Sequence, residues 1–223
     1  MRGLVFTGGE SPAPEILRKI AAGADLLVAA DSGLIICEEA GLRPDWILGD
    51  MDSLESAASR DHPGRLEKYP PDRVRRYPCD KDFTDTELAL ALLQEKRCDE
   101  IWIAGGGGGR LDHLFAVRAL FEREQSPDRW FPGNGASEGS CEIRCLKEGR
   151  VLEAALPPES IVSVFPLRHD GWEAESSGLK WPLNGVVWES GGFGVSNVAV
   201  EGPIEIRSVR GRFMVIMPTV FEG

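Results

Sequence analysis

The chain has no excess of positive charge: 25 lysines and arginines stand against 36 aspartates and glutamates, a formal net charge of −11. Such a surface repels nucleic acid and anionic membrane, and neither is expected as a partner. It also has no apolar run of the roughly 20 residues that a membrane-spanning helix needs. Residues 1–9 have the character of a strand rather than of a charged and apolar leader, so a cytoplasmic protein is expected. The five cysteines, Cys37, Cys79, Cys98, Cys141 and Cys145, are odd in number and scattered. Only the last two lie close together, and without a second pair or nearby histidines they do not make a zinc site. Internal repeats are absent, as are low-complexity tracts apart from one run of glycines.

What is present is an ordinary globular composition, 42% hydrophobic and 27% charged over 223 residues, enough for one large domain or two small ones. Up to about residue 125, short apolar runs alternate with helical patterns. GLVFT (3–7), DLLVAA (25–30), DWILG (45–49), RVRRYP (73–78) and EIWIAG (100–105) are strand-like. Between them lie helical segments at 11–23, 33–41, 84–97 and 111–124, the first with Ser11 as cap and Pro12 at its first position. This alternation predicts a parallel sheet wrapped by helices. Residues 126–140, rich in Ser, Pro, Gly and Asn, have the composition of a linker. Beyond them CEIRCL, GRVLEAAL, SIVSVFPL, GVVWES, VSNVAV, PIEIRSV and RFMVIM are short strands separated by turn residues, which predicts a small sandwich or barrel.

In an open parallel sheet, ligands bind beyond the carboxyl ends of the strands. Asp31 follows DLLVAA directly, and Asp50 and Asp52 follow DWILG. In extended backbone such an i, i+2 pair shares one face at about 6.5–7 Å. A lone pair of this kind also occurs as solvated turn aspartates. A fourth carboxylate, Asp85, falls in the first turn of a helix that Thr84 and Glu87 open with a capping box, where it also complements the helix dipole. Four like charges at one sheet edge call for a hard cation, and oxygen-only ligation beside phosphate favours Mg²⁺.

The partner motif is GGGGGRLDH, 105–113, between a strand and a helix. Consecutive glycines let backbone N–H groups approach an anion, and Arg110 adds a forked donor suited to phosphate oxygens. A Walker A loop is excluded because no Gly-Lys-[Ser/Thr] follows, and Arg110 stands where a dinucleotide fingerprint needs its third glycine. Anion cradle and carboxylates together point to nucleoside triphosphate chemistry with Mg²⁺. Which phosphorus is attacked stays open at this level.

ADSG (30–33), GDMDS (49–53), DKDFTDTELAL (80–90), GGGGGRLDH (105–113), GLKWPL (178–183) and GVSN (194–197) occur in this order. With them the chain resembles the thiamine pyrophosphokinase family along essentially its full length. The resemblance implies a Rossmann-like α/β domain over 1–130 and an all-β sandwich over 140–223 that binds thiamine and dimerises. It further implies a homodimer with the active site at the subunit interface, and Mg²⁺-dependent transfer of diphosphate from ATP to the thiamine hydroxyl, releasing AMP. Metal-holding and catalytic aspartates map onto Asp31, Asp50, Asp52 and Asp85. Nucleotide contacts map onto Lys81, Asp82, Thr84, Gly108, Gly109, Arg110, Asp112 and His113, and thiamine contacts onto Trp181, Ser196 and Asn197. Two departures from the family pattern are Val-Ala-Val after Asn197 and the stretch 126–140. The competing readings are a pyrophosphokinase for another hydroxymethyl heterocycle such as a pterin, which would need no Ser-Asn-bearing sandwich, and a non-catalytic nucleotide sensor.

Overall fold

The computed structural model describes residues 1–55, 65–133, 140–168, 171–189 and 191–221. The chain divides into two compact units, one of Met1–Val117 with Trp130–Ser137 and one of Arg118–Arg129 with Glu138–Gly223. The fold is mixed α/β, with a large parallel-containing sheet and a second, antiparallel sheet. Among the described residues no helix is long and apolar enough to cross a membrane.

The N-terminal part runs β1 (Arg2–Thr7), α1 (Pro14–Ala21), β2 (Leu26–Ala30), α2 (Gly33–Glu39), β3 (Trp46–Gly49), α3 (Asp52–Glu55), β4 (Val74–Arg76), α4 (Asp85–Glu95), β5 (Glu100–Gly105), α5 (Leu111–Leu120) and β6 (Arg129–Phe131). Strands β5, β1, β2, β3 and β4 lie side by side in that order, all parallel, with β6 beside β5. Parallel strands are buried on both faces and so are apolar along their length. Leu4, Val5 and Phe6 of β1 are all fully buried. The chain moves outward from β1 through β4, then returns to set β5 on the other side of β1. That reversal makes the carboxyl ends of β1, β2 and β5 the natural mouth of a ligand site.

The remaining strands are β7 (Cys141–Leu146), β8 (Val151–Ala154), β9 (Ile161–Leu167), β10 (Glu173–Ser177), β11 (Gly194–Val198), β12 (Ile204–Arg210) and β13 (Arg212–Pro218). They form antiparallel sets β11-β9-β13-β7 and β10-β12-β8. Alternate residues of both sets, among them Val162, Val164, Phe213, Val215, Ala174, Ile204 and Ile206, share one apolar cluster, as the period of two requires. Within this unit Glu142 is wholly buried and accepts hydrogen bonds from the guanidinium groups of Arg129 and Arg144.

Three local expectations are corrected. The cap of α1 is Ala13 rather than Ser11, and its first-turn proline is Pro14 rather than Pro12. Ala13 precedes a proline, which disfavours helical backbone there, and its ψ of 151° is extended. The composition of 126–140 suggested a linker, yet Arg129–Phe131 is a strand with Trp130 and Phe131 buried; residues 134–139 lie outside the described residues. GVVWES was expected to be a strand, but residues 186–189 form no regular element and Val187 is 84% exposed. The strand instead is β10, whose polar sequence EAESS buries only Ala174.

Candidate active site

Asp31 sits one residue past β2 with a left-handed φ of 46°, its N–H donating to the Leu48 carbonyl at 2.8 Å. Asp50 follows β3, and Asp85 opens α4. Oxygens of Asp31, Asp50 and Asp85 lie within 4.8 Å of one another. The helix that carries Asp85 starts where the sequence predicts: the Glu87 N–H donates to Thr84 Oγ1 at 3.2 Å, and the Thr84 N–H donates to Glu87 Oε2 at 2.7 Å.

Asp52 lies beside this trio, next to Asp50. Met51 adopts a φ of 68°, so the backbone between the two aspartates is not extended and they do not share a strand face. Instead the Asp52 N–H donates to Asp50 Oδ1 at 3.0 Å, and Asp52 Oδ2 accepts from the Cys79 thiol at 3.0 Å. That hydrogen bond, with burial behind it, pushes the Cys79 thiol pKa up. Oxygens of Asp50 and Asp52 and the Cys79 sulfur also lie within 4.8 Å of one another.

A cation already lies within the trio. Lys81 Nζ is 3.2 Å from Asp85 Oδ1 and 3.6 Å from Asp50 Oδ2. Burial opposes its charge, but Asp85 and Asp50 outweigh burial and its pKa is raised. Burial also raises the Asp85 pKa, against the pull of Lys81. Both partners thus shift upward, Asp85 chiefly through burial, with Asp50 and Asp31 adding to it, and Lys81 through Asp85 and Asp50. The buried Oδ1 atoms of Asp31 and Asp85 accept no hydrogen bond from the described residues; the 3.2 Å contact to Lys81 is an ion pair without hydrogen-bond alignment. Orphaned, converging carboxylate oxygens fit a hard divalent cation.

Opposite, the glycine run leaves β5 as a turn in which Gly105, Gly106, Gly108 and Gly109 all have positive φ. Gly107 exchanges two backbone hydrogen bonds with Glu10, at 2.8 and 3.0 Å, which fixes the turn beside the end of β1. Gly107–Gly109 and Arg110, together with Asp31, Asp85 and Lys81, line a cavity of about 670 Å³, a size suited to a small-molecule ligand. Thr84, Asp112 and His113 also line it; Asp82 does not. The Arg110 fork is turned onto Asp112, Nη2 to Oδ2 at 2.6 Å and Nε to Oδ1 at 3.2 Å. Arg110 and the His113 backbone hold the Asp112 pKa down at about 2. Burial, then Arg110, lowers the His113 pKa, favouring neutral imidazole.

Thr7 and Thr86, which no sequence motif singles out, line the same cavity. Both are buried, and their hydroxyls are 2.6 Å apart, joining the end of β1 to the first turn of α4. The adjoining capping box points to that turn, but only topology brings Thr7 to it. Thr86→Val keeps the shape and strands the Thr7 hydroxyl, an expected loss of about 1–3 kcal/mol. The double change Thr7→Val/Thr86→Val should recover most of it in urea melts. Additive losses would show that the two hydroxyls do not act as a pair.

The other named residues lie in the C-terminal unit. Trp181 is 54% exposed with Lys180 Nζ 4.7 Å from its ring centroid, and Ser196 is exposed with a φ of 59°. Asn197 is buried, and its amide grips the Trp181 backbone: Nδ2 donates to the carbonyl at 2.6 Å and Oδ1 accepts from the N–H at 3.1 Å.

The family model described as "Thiamin pyrophosphokinase, catalytic domain" matches residues 17–128, half of the chain. The chain belongs to the thiamin pyrophosphokinase family. A second model, "Thiamin pyrophosphokinase, vitamin B1 binding domain", matches residues 141–212. The four aspartates and the glycine turn thus fall in the catalytic match, and Trp181, Ser196 and Asn197 in the vitamin-binding one. The thiamine pyrophosphokinase of Bacillus subtilis is 28% identical over 169 residues, 71% of each chain. The thiamin pyrophosphokinase structure from Geobacillus thermodenitrificans is 25% identical, with a TM-score of 0.72 over 99% of this chain and 98% of that one. A family member from Enterococcus faecalis, 22% identical, shares the fold with a TM-score of 0.73 over 99% of this chain and 100% of the other.

Proposed function

We propose that this chain is an enzyme that transfers diphosphate from ATP to the hydroxyl of thiamine, giving thiamine diphosphate and AMP. The observation that carries the reading is one cavity lined both by Asp31 and Asp85 of the carboxylate trio and by the glycine turn, within a chain of the thiamin pyrophosphokinase family. The glycine turn binds the phosphate chain through its N–H groups. Arg110 leaves Asp112 to fork onto phosphate oxygens, and Lys81 neutralises charge that grows on the leaving side. An aspartate of the group accepts the hydroxyl proton. Asp31, Asp50 and Asp85 would hold Mg²⁺, with Asp52 beside them, and the ion would supply charge stabilisation on the phosphates. Thr84, Gly108, Gly109, Asp112 and His113 complete the nucleotide side; Asp82, outside the cavity lining, acts from beside Lys81.

The functional division is a Rossmann-like catalytic region over 1–130 and a sandwich over 140–223. Trp181 offers an aromatic face to the thiazolium cation and Ser196 a hydroxyl to the aminopyrimidine. Asn197 acts from behind by fixing the Trp181 backbone. A homodimer with the vitamin site at the subunit interface is supported by Ile161, Phe193 and Val195, exposed apolar residues on or beside β9 and β11. A cytoplasmic setting, where ATP and Mg²⁺ are at hand, suits this chemistry.

Purified protein given ATP, Mg²⁺ and thiamine should form AMP and thiamine diphosphate in equal amounts. A hydroxymethyl pterin in place of thiamine should release no AMP. ADP formation, or nucleotide binding with no turnover, would overturn the assignment.

A further inference from the structure

Lys81 stands where a positive charge is most needed. Its ammonium contacts Asp85 at 3.2 Å and Asp50 at 3.6 Å, while the side chain is only 14% exposed. These two carboxylates and Asp31 are the converging group described above. Three carboxylates so close would repel strongly with nothing between them, and Lys81 is the cation that the fold itself provides. The contacts are nevertheless loose. An ammonium at these distances is a point charge on a flexible stem, whereas Mg²⁺ draws carboxylate oxygens to about 2.0–2.1 Å. Asp50 and Asp85 therefore cannot serve both cations fully, and an ion held by them would face the ammonium only a few ångströms away. Apart from these ion pairs, Lys81 is held by a hydrogen bond to the Pro78 carbonyl at 3.1 Å, three residues back in the same loop. Beyond the two ion pairs, release costs one local hydrogen bond, and the freed ammonium stays in the cavity that it lines together with the glycine turn.

We propose that Lys81 is the resident cation of the carboxylate trio in the nucleotide-free protein, and that it yields Asp50 and Asp85 to a divalent ion only when a nucleotide's phosphates receive its ammonium. The nucleotide part rests on the function proposed above; the competition between lysine and metal does not. Two consequences follow. Free protein binds divalent ions weakly, and metal and nucleotide each tighten the other's binding by the same factor.

The test is titration of nucleotide-free protein with Mn²⁺, followed by the electron paramagnetic resonance signal of the free ion. Lys81→Met removes the charge and keeps the length. It should tighten Mn²⁺ binding at least ~10-fold, the scale for removing a nearby like charge from a site at moderate effective dielectric. Lys81→Gln should do the same, which covers the case where the methionine variant folds poorly, and Lys81→Arg should not. Adding Asp50→Asn to Lys81→Met should abolish the gain, placing it in the trio. In wild type a non-hydrolysable ATP analogue should tighten Mn²⁺ binding, and in Lys81→Met this gain should shrink. Mn²⁺ binding in the charge-removing variants that equals or falls below wild type would overturn the proposal. Turnover is not needed for these readings, so a protein that made no thiamine diphosphate would defeat the functional assignment and leave the competition standing.

Discussion

Asp85→Asn should lower thiamine diphosphate formation at least ~10²-fold, the scale for losing an electrostatic element at a reacting phosphate. Asparagine keeps the size and leaves the Thr84–Glu87 capping box in place, so α4 should still begin at residue 85. What is lost is the charge that meets Lys81 and points a buried, orphaned oxygen into the trio. Loss of rate with far-UV circular dichroism and melting temperature nearly unchanged is the expected pattern. Asp52→Asn should cost less, because Asp52 turns toward the Cys79 thiol. Asp85→Asn within about threefold of wild-type rate, against the ~10² scale above, would remove Asp85 from the chemistry.

Gly105→Ala should be strongly destabilising. Gly105 has a φ of 95°, and a methyl group there would come within 2.2 Å of the Thr7 carbonyl oxygen. That oxygen belongs to backbone in the adjoining strand, where Thr7 is registered against Gly105. The clash is relieved only by parting β1 from β5 or by pulling the turn out of place. Overpacking added to left-handed strain should cost at least ~3 kcal/mol. Gly109→Ala is the control: its φ is 49°, but nothing lies within 4 Å of the added carbon. It should cost about 1–2 kcal/mol, the backbone term alone. Urea melts of the two variants separate the contributions, and equal losses would show that the close approach to Thr7 is unimportant.

The parts of the site legible in the sequence are those that local rules fix. Asp31 and Asp50 follow apolar runs that could only be buried parallel strands, and Thr84 with Glu87 marks a helix start that places Asp85. The glycine run announces backbone of positive φ and close approach, which side chains disfavour. What escaped is set by contacts distant in sequence or by single torsions. Met51 turns left-handed, so Asp52 meets Asp50 through its N–H and turns its carboxylate to the Cys79 thiol instead of sharing a strand face, which no spacing rule foresees. Asn197 spends its amide on Trp181, 16 residues away. Thr7 meets Thr86 across 79 residues. Strand β10 carries the polar sequence EAESS and forms because β12 supplies its hydrogen bonds, while the valines of GVVWES looked more like a strand and are not one.

The buried group of Glu142 with Arg129 and Arg144 limits the evolutionary routes open to this chain. Losing Glu142 leaves two guanidinium groups facing each other, and losing an arginine leaves a wholly buried carboxylate half compensated. Either single step should cost roughly 3 kcal/mol or more, a large share of a typical domain's stability. Exchange of all three for apolar side chains of similar volume can be neutral or even stabilising. The viable endpoints are thus separated by intermediates that selection removes. A lineage holding the triad is held there for as long as substitutions arrive singly, however little the triad adds to net stability.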